Sequence, residues 1–63
     1  DLTDADLRWA DLTNANLKDA DLTNADLTNA DFEDATVTNT DFTNTIWSNT
    51  IWTDGVAYNT NQA

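Results

Sequence analysis

Ala25-Asp26-Leu27-Thr28-Asn29 shows the consensus of a repeat that runs along the chain: a small residue, Asp or Asn, a large apolar residue, a variable residue, then Asn or Asp. Working outward from Leu27, the large apolar residue recurs at every fifth position: Leu2, Leu7, Leu12, Leu17, Leu22, Leu27, Phe32, Val37, Phe42, Trp47 and Trp52. The small residue keeps the same beat two positions earlier. It is Ala5, Ala10, Ala15, Ala20, Ala25, Ala30 and Ala35, then Thr40, Thr45 and Thr50.

A period of five fits neither regular structure. A helix turns about 100° per residue, so positions five apart are rotated by about 140° and the leucines would spiral over every face. A flat strand alternates faces, so an odd spacing would send Leu2 inward, Leu7 outward and Leu12 inward again. Both conflicts vanish if the chain bends by about a quarter turn within each pentad, because every central residue then points at one axis. Four pentads make a square turn, and short repeats of this kind bury their apolar faces only by stacking.

The pattern resembles the pentapeptide-repeat family. The resemblance covers Asp1 to about Asp54 and implies an all-β fold, a right-handed quadrilateral parallel β-helix, here of about three coils. Residues 1–54 are read as the solenoid and residues 55–63 as a C-terminal exit and capping tail. The closing segment from Trp47 to Gly55 resembles the ends of many members, notably secreted bacterial ones, in its Trp-x-Asn-Thr run followed by Asp-Gly. That likeness implies an extracellular location. Those relatives often carry Cys where this chain has Trp52. Asp54-Gly55 is a turn signal, since Gly takes positive φ readily.

Stacking in register predicts core columns Leu2/Leu22/Phe42, Leu7/Leu27/Trp47, Leu12/Phe32/Trp52 and Leu17/Val37/Ala57. Side-chain volume grows toward the C-terminus. The Asn and Asp residues that end the pentads are expected to cap the corners' amides and, as Asn24/Asn44 and Asn29/Asn49, to form amide ladders. The residue before each centre builds an acidic face: Asp1, Asp21 and Asp41 in one column, Asp6 and Asp26 in a second, Asp11 and Asp31 in a third. Like charges opposite one another across a ladder repel. The face is read first as a solvated surface, then as an attachment surface for a basic protein, and last as a binder of divalent cations.

At the C-terminal end this acidic position becomes apolar, with Ile46, Ile51 and Val56. Together with Trp9, alone among the Asn and Asp residues of its position, they are candidate interface residues.

The net charge is −10, from 12 acids against Arg8 and Lys18, and is concentrated N-terminally. Ten acids and both bases precede Ala35, a net of −8; Asp41 and Asp54 follow it. Such a surface repels nucleic acid and anionic membrane. The chain has no Cys or His and one Ser, and a convex prism offers no cleft for a carboxylate pair, so nucleophilic, cysteine-metal and glycosidase chemistries lack their residues or their setting. No enzyme, cofactor or metal role is expected.

Function is less legible than architecture. The favoured reading is a structural or assembly module. Pentads from Asp1 to Ala20 are ordinary repeat without a polar cap, so the N-terminal coil is expected to stack on further coils, of this chain or of another subunit. Head-to-tail stacking of that kind would extend into a fibre. The chain opens in mid-pentad without Met, which predicts a processed chain or a piece of a longer one. A second reading, implied by the family resemblance, is an acidic rod that occupies the DNA site of a type II topoisomerase such as gyrase. A third is ice or flat-lattice binding through Thr3, Thr23 and Thr43, a column whose neighbours are interrupted by Arg8, Lys18 and Glu33.

Overall fold

In the computed structural model, which describes residues 1–63, residues twenty apart lie side by side. Single-residue parallel β-pairings join Asp6 to Asp26, Asp11 to Asp31, Asn16 to Thr36 and Asp21 to Asp41, and continue from Asp26 to Ile46 and from Asp31 to Ile51. Fourteen N–H groups donate to the carbonyl nineteen residues ahead, as Leu22 does to Asp41 at 2.8 Å. Six donate to the carbonyl twenty-one residues back, as Asp26 does to Ala5 at 3.0 Å. The fold is all-β and contains no helix. Consequently no helix is long and apolar enough to cross a membrane.

Nine of the ten bends are four-residue turns closed by their own hydrogen bond; the last, Trp47–Thr50, lacks it. The N–H of the small residue donates to the carbonyl of the preceding centre, as Ala25 does to Leu22 at 2.9 Å. The residue between them that ends the pentad has positive φ in all ten pentads from Asp4 to Asn49, between 51° and 65°. A positive φ confined to the third residue is the signature of a type II turn. Asn and Asp occupy that column because they tolerate left-handed backbone better than other non-glycine residues. Trp9, at φ 65°, is the exception. The column's role thus differs from the expected amide capping. Of the two expected ladders, Asn49 Nδ2 donates to Asn29 Oδ1 at 3.1 Å, and no such bond joins Asn24 to Asn44.

The core is the row of centres with its floor of small residues. Leu22, Leu27 and Phe32 are fully buried, with Ala25 and Ala30 beneath them, while Leu17, Phe42 and Trp47 are nearly so. Leu2, Leu7, Leu12, Val37 and Trp52 are half-buried and pack against this cluster. The aromatic end is knit by near-perpendicular contacts, Phe32 to Phe42 with centroids 5.9 Å apart and Phe42 to Trp52 at 5.3 Å. These geometries favour ring edge against ring face. Threonine replaces alanine here with an added bond: Thr40 Oγ1 donates to the Leu17 carbonyl at 2.8 Å, and buried Thr50 Oγ1 to the Leu27 carbonyl at 2.7 Å.

The fourth core column ends differently from its expectation: Ala57 is exposed. The chain reverses at Asp54-Gly55, where Gly55 has φ 80°. Strand β1, Thr50–Ile51, then pairs antiparallel with β2, Ala57–Tyr58, in the register Thr50 with Tyr58 and Ile51 with Ala57. Tyr58 packs on the core instead of Ala57, and its hydroxyl donates to Asp54 Oδ2 at 2.7 Å.

Candidate interaction surfaces

The acidic column residues are turn acceptors. Oδ1 of Asp21 takes the N–H of Thr23 at 3.0 Å and its hydroxyl at 2.6 Å, and Asp1, Asp26 and Asp41 engage Thr3, Thr28 and Thr43 in the same way. Asp6, Asp11 and Asp31 accept the N–H two residues on, and Asn16 does so for Lys18. This is the local Asx geometry by which a short polar side chain replaces a missing backbone partner. The hydroxyls of Thr3, Thr23 and Thr43 are therefore engaged with their own pentads.

These bonds outweigh the repulsion between stacked carboxylates. Asp21, Asp26 and Asp41 lie below the ordinary carboxylate range, held there first by the side chains of Thr23, Thr28 and Thr43 and then by their N–H groups. The carboxylate next in the column, Asp6 for Asp26 and Asp21 for Asp41, pushes the opposite way with less effect. Arg8 closes a two-point fork on Asp6, with Nε to Oδ1 and Nη2 to Oδ2 both at 2.9 Å, and draws that carboxyl down to about 2. No three carboxylates converge as a metal site.

The exposed apolar side chains fall in two places. Trp9 is 76% exposed and stands at a corner, with Asn29 and Asn49 at the equivalent corners of the next two twenty-residue segments. Ile46 and Val56 are about half exposed, at 55% and 51%, and Ile51 between them is half-buried under β2.

A third surface is made of backbone and was not singled out by residue type. At the N-terminal edge the carbonyls of Asp1, Thr3, Asp6, Arg8, Asp11, Thr13, Asn16 and Lys18 accept no bond, and the N–H groups of Asp6, Asp11, Asn16 and Asp21 donate none. These are the atoms that the internal ladder uses one segment further on.

The opposite edge is partly filled. Asn49 N–H donates to Asn59 Oδ1 at 2.7 Å, Trp52 N–H to the Val56 carbonyl at 3.0 Å, and Asn61 Nδ2 to the Phe42 carbonyl at 3.0 Å. Between Asn39–Thr43 and the tail residues Asn61 and Ala63 runs an open groove of about 460 Å³.

Comparison with known proteins gives one match. A family model described as pentapeptide repeats fits residues 1–39 in eight copies, 39 of the 63 residues. No curated protein and no solved structure matches the chain.

Proposed function

This chain belongs to the pentapeptide-repeat family, and from that premise we propose that it is a non-enzymatic structural and interaction module: a right-handed quadrilateral β-helix of about three coils whose N-terminal coil stacks on a further coil. The solenoid spans residues 1–54, and residues 55–63 close its C-terminal end. The open ladder at the N-terminal edge is the observation that carries this reading. Unpaired main-chain groups on a sheet edge are a template for added strands. Eight carbonyls and four N–H groups stand ready there, in the spacing that the chain's own layers already satisfy.

The partner is either additional pentads of a longer chain or another subunit. Half-buried Leu2, Leu7 and Leu12 gain cover when the next coil arrives. The outward Asp residues add solubility while serving the turns, and Trp9, Ile46, Ile51 and Val56 offer secondary contact points.

Size-exclusion chromatography with light scattering, repeated over a wide concentration range, tests the proposal. Reversible assembly is the expected result. A clean monomer at the highest concentration refutes stacking between subunits, and negative-stain microscopy separates a closed particle from a fibre.

A further inference from the structure

The chain's single glycine follows an aspartate, and that step carries chemistry that the repeats avoid. In an Asp-Gly step the unhindered glycine nitrogen can attack the aspartate Cγ. The N–Cγ bond forms, the Cγ–OH bond breaks, and the hydroxyl leaves as water with the amide proton, giving a five-membered imide. Water then cleaves the imide at the former main-chain carbonyl, so the chain continues through the side-chain carboxyl and is one methylene longer. One water leaves and one enters; the product is isoaspartate, of unchanged mass. We propose that Asp54–Gly55 is a latent isomerisation site and that the hydroxyl of Tyr58 holds it shut.

The fold needs this glycine. Gly55 has φ 80°, and a Cβ built there would stand 2.6 Å from Glu33 Oε2, so a side chain would strain the backbone and displace that carboxylate. The other ten Asp residues precede Leu, Phe or Ala, whose side chains crowd the attacking nitrogen. The reactive step therefore sits at one place, where sequence alone cannot remove it.

Both partners of the attack are engaged. Gly55 N–H donates to the Trp52 carbonyl at 2.9 Å, closing the turn. Asp54 Oδ1 accepts the Val56 N–H at 3.0 Å, and Oδ2 accepts the Tyr58 hydroxyl at 2.7 Å. Cγ must present its face to the nitrogen, and bonds to both oxygens fix the plane of the carboxylate. The same bonds, that of Tyr58 first and that of Val56 second, hold the Asp54 carboxyl below the ordinary carboxylate range. It stays ionised, and an ionised carboxylate is a poor target for a nucleophile. The Glu33 carboxylate against Gly55 adds a like charge that opposes loss of the amide proton.

Tyr58 is held in position for this role. Its ring packs on the core and its backbone pairs with Thr50. Asp54 and Gly55 are both exposed, so water reaches the imide once it forms. Isomerisation moves the free carboxyl onto Cα, away from Tyr58, and lengthens the loop between β1 and β2. One chemical event thereby unfastens the hairpin.

Isoaspartate at residue 54, quantified by peptide mapping and mass spectrometry after incubation at neutral pH, tests the proposal. The folded chain is expected to form it about tenfold more slowly than the same chain in urea, the scale of one hydrogen bond to a charged group. Tyr58→Phe keeps the ring and is expected to recover most of that difference, with the fold checked by circular dichroism. Asn59→Ala removes the bond to the Asn49 N–H, leaves the Tyr58 hydroxyl in place, and should isomerise like the unsubstituted chain. Equal rates for the folded chain and the chain in urea overturn the protection, and that comparison needs no variant to fold. A Tyr58→Phe rate equal to that of the unsubstituted chain, or one matched by Asn59→Ala, overturns the assignment to the hydroxyl.

Discussion

Replacing Trp9 by Asn is expected to stabilise the protein although it removes a large apolar side chain. Trp9 holds φ 65° at a position where the nine equivalent residues are Asn or Asp. Left-handed backbone costs an ordinary L-residue about 1–2 kcal/mol, and Asn, which tolerates that region better than other non-glycine residues, recovers about 1 kcal/mol of this. Against that stands lost burial. With the side chain 76% exposed, about a quarter of the roughly 1.5–3 kcal/mol of full burial is forfeited, or about 0.5 kcal/mol. The Trp9→Asn chain should gain about 0.5 kcal/mol, while Trp9→Ala, which keeps the backbone cost and loses the same contact, should lose about 0.5 kcal/mol. For a domain of this size the resulting gap of about 1 kcal/mol separates the two melting temperatures by roughly 4–8 °C, readable by circular dichroism. If Trp9→Ala melts at or above Trp9→Asn, the turn-strain argument is wrong.

Phe32→Ala empties a fully buried site between Phe42 and Trp52, and the expected loss of about 3–5 kcal/mol should abolish a cooperative thermal transition. Thr50→Val keeps the volume but removes the hydroxyl that donates to the Leu27 carbonyl and accepts the Ser48 N–H; denaturant melts should show a loss of about 1 kcal/mol. Acid should weaken the fold in a defined window. Asp21, Asp26 and Asp41 have folded pKa values below 3.8, and Asp6 is near 2, so their contribution is present above about pH 4 and is lost as pH falls toward 2. A melting temperature that is flat from pH 5 to about pH 2 would exclude these carboxylates as turn acceptors.

The five-residue beat made the inward centres and the offset of twenty legible, because no other backbone path sends Leu2, Leu7 and Leu12 the same way. The corners were legible in composition but not in role. Asn24 and Asn29 read as amide caps, whereas they are the left-handed residues of type II turns, and the capping is done by Asp21 and Asp26 from the position before the centre. The signal was present as Asp-x-Thr, the spacing at which one carboxylate oxygen reaches both the N–H and the hydroxyl two residues on. The tail was read poorly. Extending the beat carried Ala57 into the core, but Asp54-Gly55 reverses the chain, and once β2 pairs antiparallel with β1 it is Tyr58 that reaches the core. The open edge was inferable from missing caps, yet its free groups belong to the backbone, and only the ladder's register identifies them.

The register is the central claim, and hydrogen-bond scalar couplings between backbone ¹⁵N and ¹³C′ measure it directly. Couplings are predicted from the Leu22 nitrogen to the Asp41 carbonyl, from Leu27 to Ile46, and from Asp26 back to Ala5. Cross-peaks from these three nitrogens to any other carbonyl, above all the one four residues earlier as in a helix, would contradict it.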